Sequence, residues 1–301
     1  REMGGEQRPL PRLLADAIRY AADGIPVTAS QADATASKQA ELMHQPGFAA
    51  TFLPDGEVPR IGSRFTQPDL ANTLIHLAEA GLDSFYRGPL ARQMASEMSR
   101  LGMPVTLEDL NRQQAKRRTP LRIRHQYGDV FNMTPPTQGM VSLAILGMTD
   151  HLEMADADEA QTVHRIVEAT KLAFGLRDQY ITDPLHMREE MQTLLDSDLL
   201  RQMAAQIDLS QAAPWGSGKG PGDTVWMGVM DSSGLAVSFI QSIYHEFGSG
   251  VVLPGTGITW QNRGAAFSLD PDHLLALLPG KQPFHTPVSY THLRAHETEA
   301  D

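Results

Sequence analysis

Residues 211–223 read QAAPWGSGKGPGD, and residues 224–242 continue as TVWMGVMDSSGLAVSFIQS. The first segment is rich in glycine and proline, which favours an exposed chain without regular structure. The second segment contains two runs rich in β-branched and large apolar residues around a Ser-Ser-Gly turn. This pattern predicts an antiparallel β-hairpin that begins directly after the glycine-rich segment.

The hairpin also predicts which residues face each other. Folding about residues 231–234 places Met230 opposite Leu235 and, at the open end, Thr224 opposite Gln241. Ser242 then lies within a residue of Thr224, near enough for a hydrogen bond. A serine at the end of a strand is equally compatible with this pattern, so Ser242 has two interpretations.

The glycine-rich segment likewise has two interpretations. On composition it is a linker between two lobes. The alternative is that the bond between Asp223 and Thr224 is cut, which would leave one residue with both a hydroxyl and a free α-amino group. Such an amine has a pKa near 7.7–8.0 and can act as the general base that a threonine nucleophile requires.

Upstream of residue 211, apolar residues recur at helical spacing. We predict helices over residues 9–22, 66–81, 89–102, 138–152, 158–180 and 193–207, a helix N-cap at Thr106, and a hairpin over residues 121–133 that turns at Gly128-Asp129. From residue 224 to residue 262 the sequence pattern is typical of β-strands. Helices followed by strands predict an α+β layered domain rather than a parallel doubly wound one.

Composition excludes several classes of function. The formal charge of −11 disfavours nucleic acid and anionic membrane surfaces as partners, despite the short basic run at residues 116–118. The absence of cysteine excludes disulfides, thiolate metal sites and a cysteine nucleophile. No apolar run approaches the roughly 18 residues of a membrane span. A chain that opens without methionine and in the middle of a pattern suggests an internal fragment.

Several blocks together resemble the γ-glutamyltranspeptidase family. They are Gly222-Asp223-Thr224-Val225-Trp226, Phe247-Gly248-Ser249-Gly250-Val251-Val252, Pro254-Gly255-Thr256-Gly257-Ile258, Gln261-Asn262 with Phe267-Ser268, Pro279-Gly280-Lys281-Gln282-Pro283, and the upstream loop Thr134-Pro135-Pro136-Thr137-Gln138-Gly139. Arg118-Thr119-Pro120 resembles the family's strand before that upstream loop, and the resemblance covers nearly the whole chain to about Thr286. Their number and order make the resemblance specific.

The resemblance implies a four-layer αββα N-terminal-nucleophile hydrolase fold with two stacked antiparallel sheets, incomplete at both ends. Residues 1–223 would be the C-terminal part of the large subunit, ending in the processing loop 211–223, and residues 224–289 the N-terminal part of the small subunit. Residues 290–301 depart from the pattern and are interpreted as a non-native tail. Thr224 would cut the chain after Asp223 and then attack a substrate amide, assisted by Ser242.

Departures from the family pattern concern the substrate. Members that bind a glutamyl group hold its α-amino group with a carboxylate at the position of Ala266, and they have Asn where Tyr244 stands. Arg263 replaces a Gln or Glu after Asn262, and His285 and Thr286 replace two serines. Losing a carboxylate and gaining an arginine favours an anionic substrate over an ammonium group.

We therefore predict substrate contacts from Tyr244, Asn262, Arg263, His285 and Thr286. The exchange resembles the oxamate amidohydrolase branch, in which a small anionic amide is hydrolysed. The alternatives are γ-glutamyl transfer or glutathione hydrolysis, and an inactive fragment or interaction module. The oxyanion and carboxylate-binding residues of the family fall outside this chain.

No metal, nucleotide or organic cofactor is expected. His292 and His296 have a spacing that can bind zinc on a helix, but they lie in the segment interpreted as foreign, and a metal role is declined. His245-Glu246 is interpreted as lining a pocket or the surface. The expected location is cytoplasmic, although any targeting peptide would precede this chain.

Overall fold

The computed structural model describes residues 8–214 and 225–285. The described chain forms two compact units. The first unit takes its residues from Arg1–Lys116 and Glu246–Gln261, and the second from Arg117–His245 and Asn262–Asp301. Asp223, Thr224, Thr286 and the segment 290–301 lie outside the described residues.

Helices and short antiparallel ladders make up both units. The first unit contains α1 (Leu10–Asp23), β1 (Ile25–Pro26), α2 (Ala29–Leu42), α3 (Phe48–Phe52), β2 (Arg64–Phe65), α4 (Pro68–Ala80), α5 (Ser84–Arg87), α6 (Pro89–Arg100), α7 (Leu107–Arg112), β7 (Val252–Leu253) and β8 (Ile258–Thr259). The second contains β3 (Leu121–His125), β4 (Gly128–Asn132), α8 (Gly139–Thr149), α9 (Glu159–Tyr180), α10 (Ser197–Ala204), β5 (Val225–Met230) and β6 (Ala236–Gln241). Within the described ranges, short 3₁₀ helices lie at Pro54–Gly56, Met154–Asp156, Pro184–His186, Thr193–Leu195 and Arg263–Ala266.

Local sequence signals account for most helix ends. Proline occupies the first turn of α1, α4 and α6, where its missing N–H costs nothing. Gly24 and Gly81 end α1 and α4 with φ values of 87° and 89°, a region that favours glycine. Thr106 caps α7 through a capping box with Asp109, as predicted.

Two apolar clusters form the core of the first unit. One is aromatic: Phe247 packs edge-on against Phe48 and Phe52, with ring centroids 5.2 and 4.8 Å apart. The other buries Met94 and Met98 of α6 completely, together with Leu253 of β7. Each such side chain contributes about 1.5–3 kcal/mol on leaving water.

Helix α6 also holds the turn between β7 and β8. Gln93 Nε2 donates to the carbonyl oxygen of Gly255 at 2.9 Å, and Glu97 Oε2 accepts from the Gly255 N–H at 3.3 Å. Glu97 is only 5% exposed, and its carboxylate accepts hydrogen bonds from this turn and from Gln93. The turn therefore depends on two side chains that precede it by about 160 residues in the chain.

The core of the second unit is built around α8. This helix, GMVSLAILGMT, is apolar on all sides, which is typical of a helix surrounded by protein. Met140, Leu143 and Met148 are fully buried in one cluster with residues of β3, α9 and α10. Helix α9 starts at a capping box formed by Asp158 and Gln161, close to the predicted start.

Two predicted boundaries were wrong. The β3–β4 hairpin turns at Gln126-Tyr127 rather than at Gly128-Asp129, because Gly128 already pairs with His125. The helix predicted over residues 193–207 is broken at Asp196, whose extended backbone separates a 3₁₀ turn from α10. Asp196 caps α10 by accepting from the N–H groups of residues 198 and 199, a local alternative to continuing the helix.

The β5–β6 hairpin forms as predicted, but its register differs by one residue. Met230 pairs with Ala236 and Val225 pairs with Gln241. The turn accommodates the extra residue because Asp231 Oδ1 accepts from the N–H groups of Ser233 and Leu235. The hairpin's pairing, like that of β1–β2, β3–β4 and β7–β8, is antiparallel, in agreement with the predicted α+β class.

Candidate active site

The chain leaves β6 through a tight turn at Ser242. The backbone N–H of Tyr244 donates to Ser242 Oγ at 3.1 Å, and both residues are half-buried. Ser242 therefore does more than end a strand, because its hydroxyl shapes the path of the next two residues.

Tyr244 has a φ of 87°, a value that side-chain-bearing residues rarely adopt. Its ring lies against that of His245, edge to face, with centroids 4.7 Å apart. Asparagine tolerates positive φ better than tyrosine does, which gives a physical reason for an Asn at this position in the related pattern. A tyrosine held here requires compensating contacts from its surroundings.

Arg263 supplies one such contact. Its guanidinium carbon lies 5.6 Å from the centroid of the Tyr244 ring, within the range of a cation–π interaction. Arg263 is only 9% exposed. Burial lowers the pKa of Arg263 and Tyr244 opposes that shift, but an arginine stays protonated at any physiological pH. The site therefore holds a largely desolvated positive charge.

Asn262 fixes the position of that arginine. Its backbone N–H donates to the carbonyl oxygen of Ile243 at 3.0 Å, which ties the start of the 3₁₀ helix Arg263–Ala266 to the residue before Tyr244. Its own carbonyl oxygen accepts from the Ala265 N–H and closes that 3₁₀ turn. Asn262 thus acts through its backbone to bring Arg263 beside Tyr244.

His285 approaches Arg263 from another part of the chain. Its backbone N–H donates to the Pro136 carbonyl oxygen at 2.8 Å, and His285 forms a parallel bridge with Thr137. Burial, and then the charge of Arg263, lower the pKa of His285 to about 4. The imidazole is therefore neutral at pH 7 and leaves Arg263 as the charged member of the pair.

The loop that holds His285 contains a residue that the sequence did not single out. Gln138 is 5% exposed, and its Oε1 has no hydrogen-bond partner among the described residues. Buried polar atoms normally find a partner, and Gln138 directly follows Thr137, the residue that bridges to His285. The sequence marked residues 134–139 as one block, but no local pattern distinguishes a buried amide from an exposed one.

Four of the predicted substrate-binding residues thus come together. Tyr244, Asn262, Arg263 and His285 form one cluster in the second unit, with Ser242 two residues from Tyr244. Their roles remain predictions. Asp223, Thr224 and Thr286 lie outside the described residues, so the structure does not bear on them.

The described chain also contains a cleft that none of these cluster residues lines. A cleft of about 760 Å³ between β3 and α10 is lined by Arg122, Asp150 and Glu190, among others. It carries both signs of charge, and Arg122 is already paired with Asp129 at 2.8 Å.

Within residues 8–214 and 225–285, no group of three or more His, Asp or Glu side chains is arranged to hold a metal ion. None of the helices in these ranges is both long and apolar enough to span a bilayer.

An α+β fold with an antiparallel hairpin that follows a Gly/Pro-rich segment and a threonine in the sequence agrees with the predicted class, the N-terminal-nucleophile hydrolases. Comparison with known sequences is more specific. The chain belongs to the gamma-glutamyltranspeptidase family, whose sequence model matches residues 3–298.

Relatives within the family cover most of this chain. It is 69% identical over 286 residues to the oxamate amidohydrolase proenzyme of Klebsiella pneumoniae, a match over 95% of this chain and 54% of the relative. It is 36% identical to a glutathione hydrolase-like proenzyme of Bacillus subtilis, over 92% of this chain and 53% of the relative. The chain spans about half the length of these curated relatives.

A solved structure supports the fold directly. The crystal structure of a cephalosporin acylase from Bacillus halodurans is 36% identical and superposes with a TM-score of 0.82, over 93% of this chain and 53% of that one. The predicted fold of the N-terminal-nucleophile hydrolases is thereby confirmed.

Proposed function

We propose that the full-length protein containing this chain is a self-processing amidohydrolase that converts oxamate and water to oxalate and ammonia. The observation that carries the proposal is the desolvated Arg263 beside Tyr244 and a neutral His285. The 69% identity to an oxamate amidohydrolase proenzyme supports the same substrate class.

The charge of the cluster favours an anion. A guanidinium offers a planar pair of donors that match a carboxylate, and burial strengthens the interaction. Ala266, which ends the 3₁₀ helix that begins at Arg263, has no charge with which to hold an ammonium group. A small molecule with a carboxylate next to an amide, and without an amine, satisfies both features.

We propose Thr224 as the nucleophile. Its hydroxyl would attack the carbonyl carbon of Asp223, the bond to the Thr224 nitrogen would break, and water would open the resulting ester. The freed amine would then serve as general base when the same hydroxyl attacks the substrate amide. Ammonia would leave, and water would release oxalate from the acyl-enzyme.

Ser242 is proposed to assist this nucleophile. Val225 pairs with Gln241 in the hairpin. The same pairing continued by one step would set residue 224 opposite Ser242, where a hydroxyl can hydrogen-bond the Thr224 hydroxyl or amine. Cleavage before residue 224 would yield two subunits from one precursor, with boundaries at 1–223 and 224–289 within this chain.

The alternative substrate class is a γ-glutamyl amide such as glutathione. The 36% identity to a glutathione hydrolase-like proenzyme favours it. Holding a γ-glutamyl substrate would require a carboxylate for its α-amino group, and Ala266 cannot supply one. Oxamate therefore remains the preferred substrate.

Two measurements test the proposal. Intact mass of the purified full-length protein is expected to show two fragments divided between Asp223 and Thr224, and Thr224→Ala is expected to give one uncut chain. The processed protein is expected to release ammonia from oxamate and to leave γ-glutamyl anilides uncut. A single uncut chain in both proteins would contradict self-cleavage before Thr224. Rapid γ-glutamyl transfer would contradict oxamate as the substrate.

A further inference from the structure

Two side chains of helix α9 hydrogen-bond the backbone of Ala213, just upstream of the segment that leads to Thr224. These two hydrogen bonds are called the grip on Ala213 below. Lys171 Nζ donates to the carbonyl oxygen of Ala213 at 2.6 Å, and Glu168 Oε2 accepts from the Ala213 N–H at 3.3 Å. Two side chains thus satisfy both polar groups of a single peptide residue, as a neighbouring β-strand would.

The two side chains also hold each other. Lys171 Nζ lies 2.5 Å from Glu168 Oε1, and the side chains are 14% and 6% exposed. The hydrogen bond from Lys171 is the largest cause of a lowered pKa at Glu168, which keeps this carboxyl charged at neutral pH. A buried pair costs desolvation, which further hydrogen bonds must offset, and Ala213 provides one to each partner.

A second contact lies five residues upstream. His164 Nε2 lies 2.8 Å from the carbonyl oxygen of Asp208, one turn before Glu168 on the same helix. Asp208 Oδ1 in turn accepts from the N–H groups of Ser210 and Gln211. The segment 208–213 is therefore attached to α9 at both ends.

We infer that Glu168 and Lys171 are positioning residues for self-cleavage: they fix the point from which the chain runs to the Asp223–Thr224 bond. The inference rests on the proposed self-processing. Eleven residues, 214–224, separate Ala213 from Val225, which is the first described residue of β5. Fixing the ends of a segment reduces the entropy that is lost on reaching the geometry in which a hydroxyl attacks a carbonyl.

The expected size of the effect follows from the number of residues between the last anchored residue and β5. If the hydrogen bonds to Ala213 are lost, the nearest described hydrogen bond to α9 is at Asp208, and that number grows from 11 to 16. Closure entropy that scales with the logarithm of length then slows cleavage by about twofold. If the donor and the acceptor on α9 are exchanged, cleavage should slow further, because like partial charges then face each other at Ala213.

The decisive variant exchanges the two charges. Glu168→Lys with Lys171→Glu preserves an ion pair on α9 but presents a donor to the Ala213 N–H and an acceptor to its carbonyl oxygen. A pair that only stabilises the helix would tolerate this exchange. A pair that reads the polarity of Ala213 would not, so we expect cleavage at least twofold slower than in the unaltered protein.

Companion variants separate positioning from folding. Glu168→Gln with Lys171→Met is expected to slow cleavage about twofold, and Lys171→Arg, which keeps the donor and the charge, to cleave at the original rate. The control neutralises a matched i,i+3 pair that is exposed on α10, by Asp198→Asn with Arg201→Gln, and is expected to change nothing. Once processed, every variant should retain the original kcat/KM for oxamate.

The measurement is the first-order rate of cleavage by intact mass, with the melting temperature recorded for each variant. Hydrogen exchange at the Ala213 amide tests the grip by itself and should quicken in the exchanged and neutral variants. An exchanged variant that cleaves at the original rate overturns the inference, and if that variant does not fold, the same result in the neutral variant does so. Absence of cleavage in the unaltered protein instead overturns the proposed function, while the exchange data still report on the grip.

Discussion

The guanidinium carbon of Arg263 lies 5.6 Å from the centre of the Tyr244 ring, and Tyr244 holds its ring there from a backbone with a φ of 87°. The two residues come from opposite sides of an internal segment, 246–261, that belongs to the other compact unit. A backbone hydrogen bond from the Asn262 N–H to the Ile243 carbonyl oxygen joins the residues on either side of that segment. The fold thus assembles the cluster around the largely buried guanidinium of Arg263.

Removing that charge should affect an anionic substrate selectively. We expect Arg263→Ala to lower kcat/KM for oxamate roughly ten- to a hundredfold, since a hydrogen bond to a charged group contributes about 1.5–3 kcal/mol. A neutral amide of similar size should be affected much less. Steady-state kinetics on the two substrates provide the measurement.

The matched control for Arg263 is Arg177 of α9. It also lies over an aromatic ring, with its guanidinium carbon 4.0 Å from the Phe174 centroid, but it is outside the cluster. Arg177→Ala should leave both substrates unchanged. Equal losses on the anionic and the neutral amide in Arg263→Ala would show that Arg263 is structural.

His285 predicts a pH dependence of stability. Its pKa in the folded protein is about 4, below the ordinary value of 6.5, so the folded state favours the neutral ring. Protonation therefore favours the unfolded chain. The contribution of His285 to the free energy of unfolding is fully present above about pH 6.5 and is lost as the pH falls from 6.5 towards 4. The causes are burial and the charge of Arg263.

Melting temperatures measured at pH 7, 6 and 5 test this dependence. His285→Gln should weaken the decline, because a glutamine does not titrate. The exposed His186 provides the control, and His186→Gln should leave the decline as it was. The same slope in His285→Gln as in the unaltered protein would contradict the assignment.

Ser242 is expected to act on the self-cleavage rate. Ser242→Ala should slow it about tenfold, the value of a hydrogen bond of 1–1.5 kcal/mol, and Ser242→Thr should retain most of the rate. The control is Ser233→Ala at the other end of the hairpin, which removes a hydroxyl that bonds Asp231. Intact mass against time distinguishes them, and an unaltered rate in Ser242→Ala would limit Ser242 to shaping the turn before Tyr244.

Glu97 should matter for stability without touching the cluster. Glu97→Ala removes the part-buried hydrogen bond from the Gly255 N–H to Glu97 Oε2, which costs about 1 kcal/mol, and should lower the melting temperature by a few degrees. Glu108→Ala, at an exposed residue of α7 paired with Arg112, should change it little. Similar losses at both positions would show that the turn does not depend on Glu97.

Much of the helical structure could be predicted because it depends on neighbours three or four residues away. The apolar spacing of α1, α4 and α6 and the capping signals of Thr106 and Asp158 are local, and the structure reproduces them. The break at Asp196 was missed because its side chain offers the backbone an alternative partner that apolar periodicity does not register.

The class of chemistry could be predicted from local sequence: an acidic, cysteine-free chain has a threonine after a Gly/Pro-rich segment, Ala266 where the family pattern has a carboxylate, and Arg263 in place of a Gln or Glu. Which groups come together depends on the tertiary fold. Hairpin pairing shifted by one residue because the Asp231 turn closes around its own hydrogen bonds. Arg263 meets His285, and Lys171 meets Ala213 42 residues away, through contacts between distant segments, which no local spacing encodes.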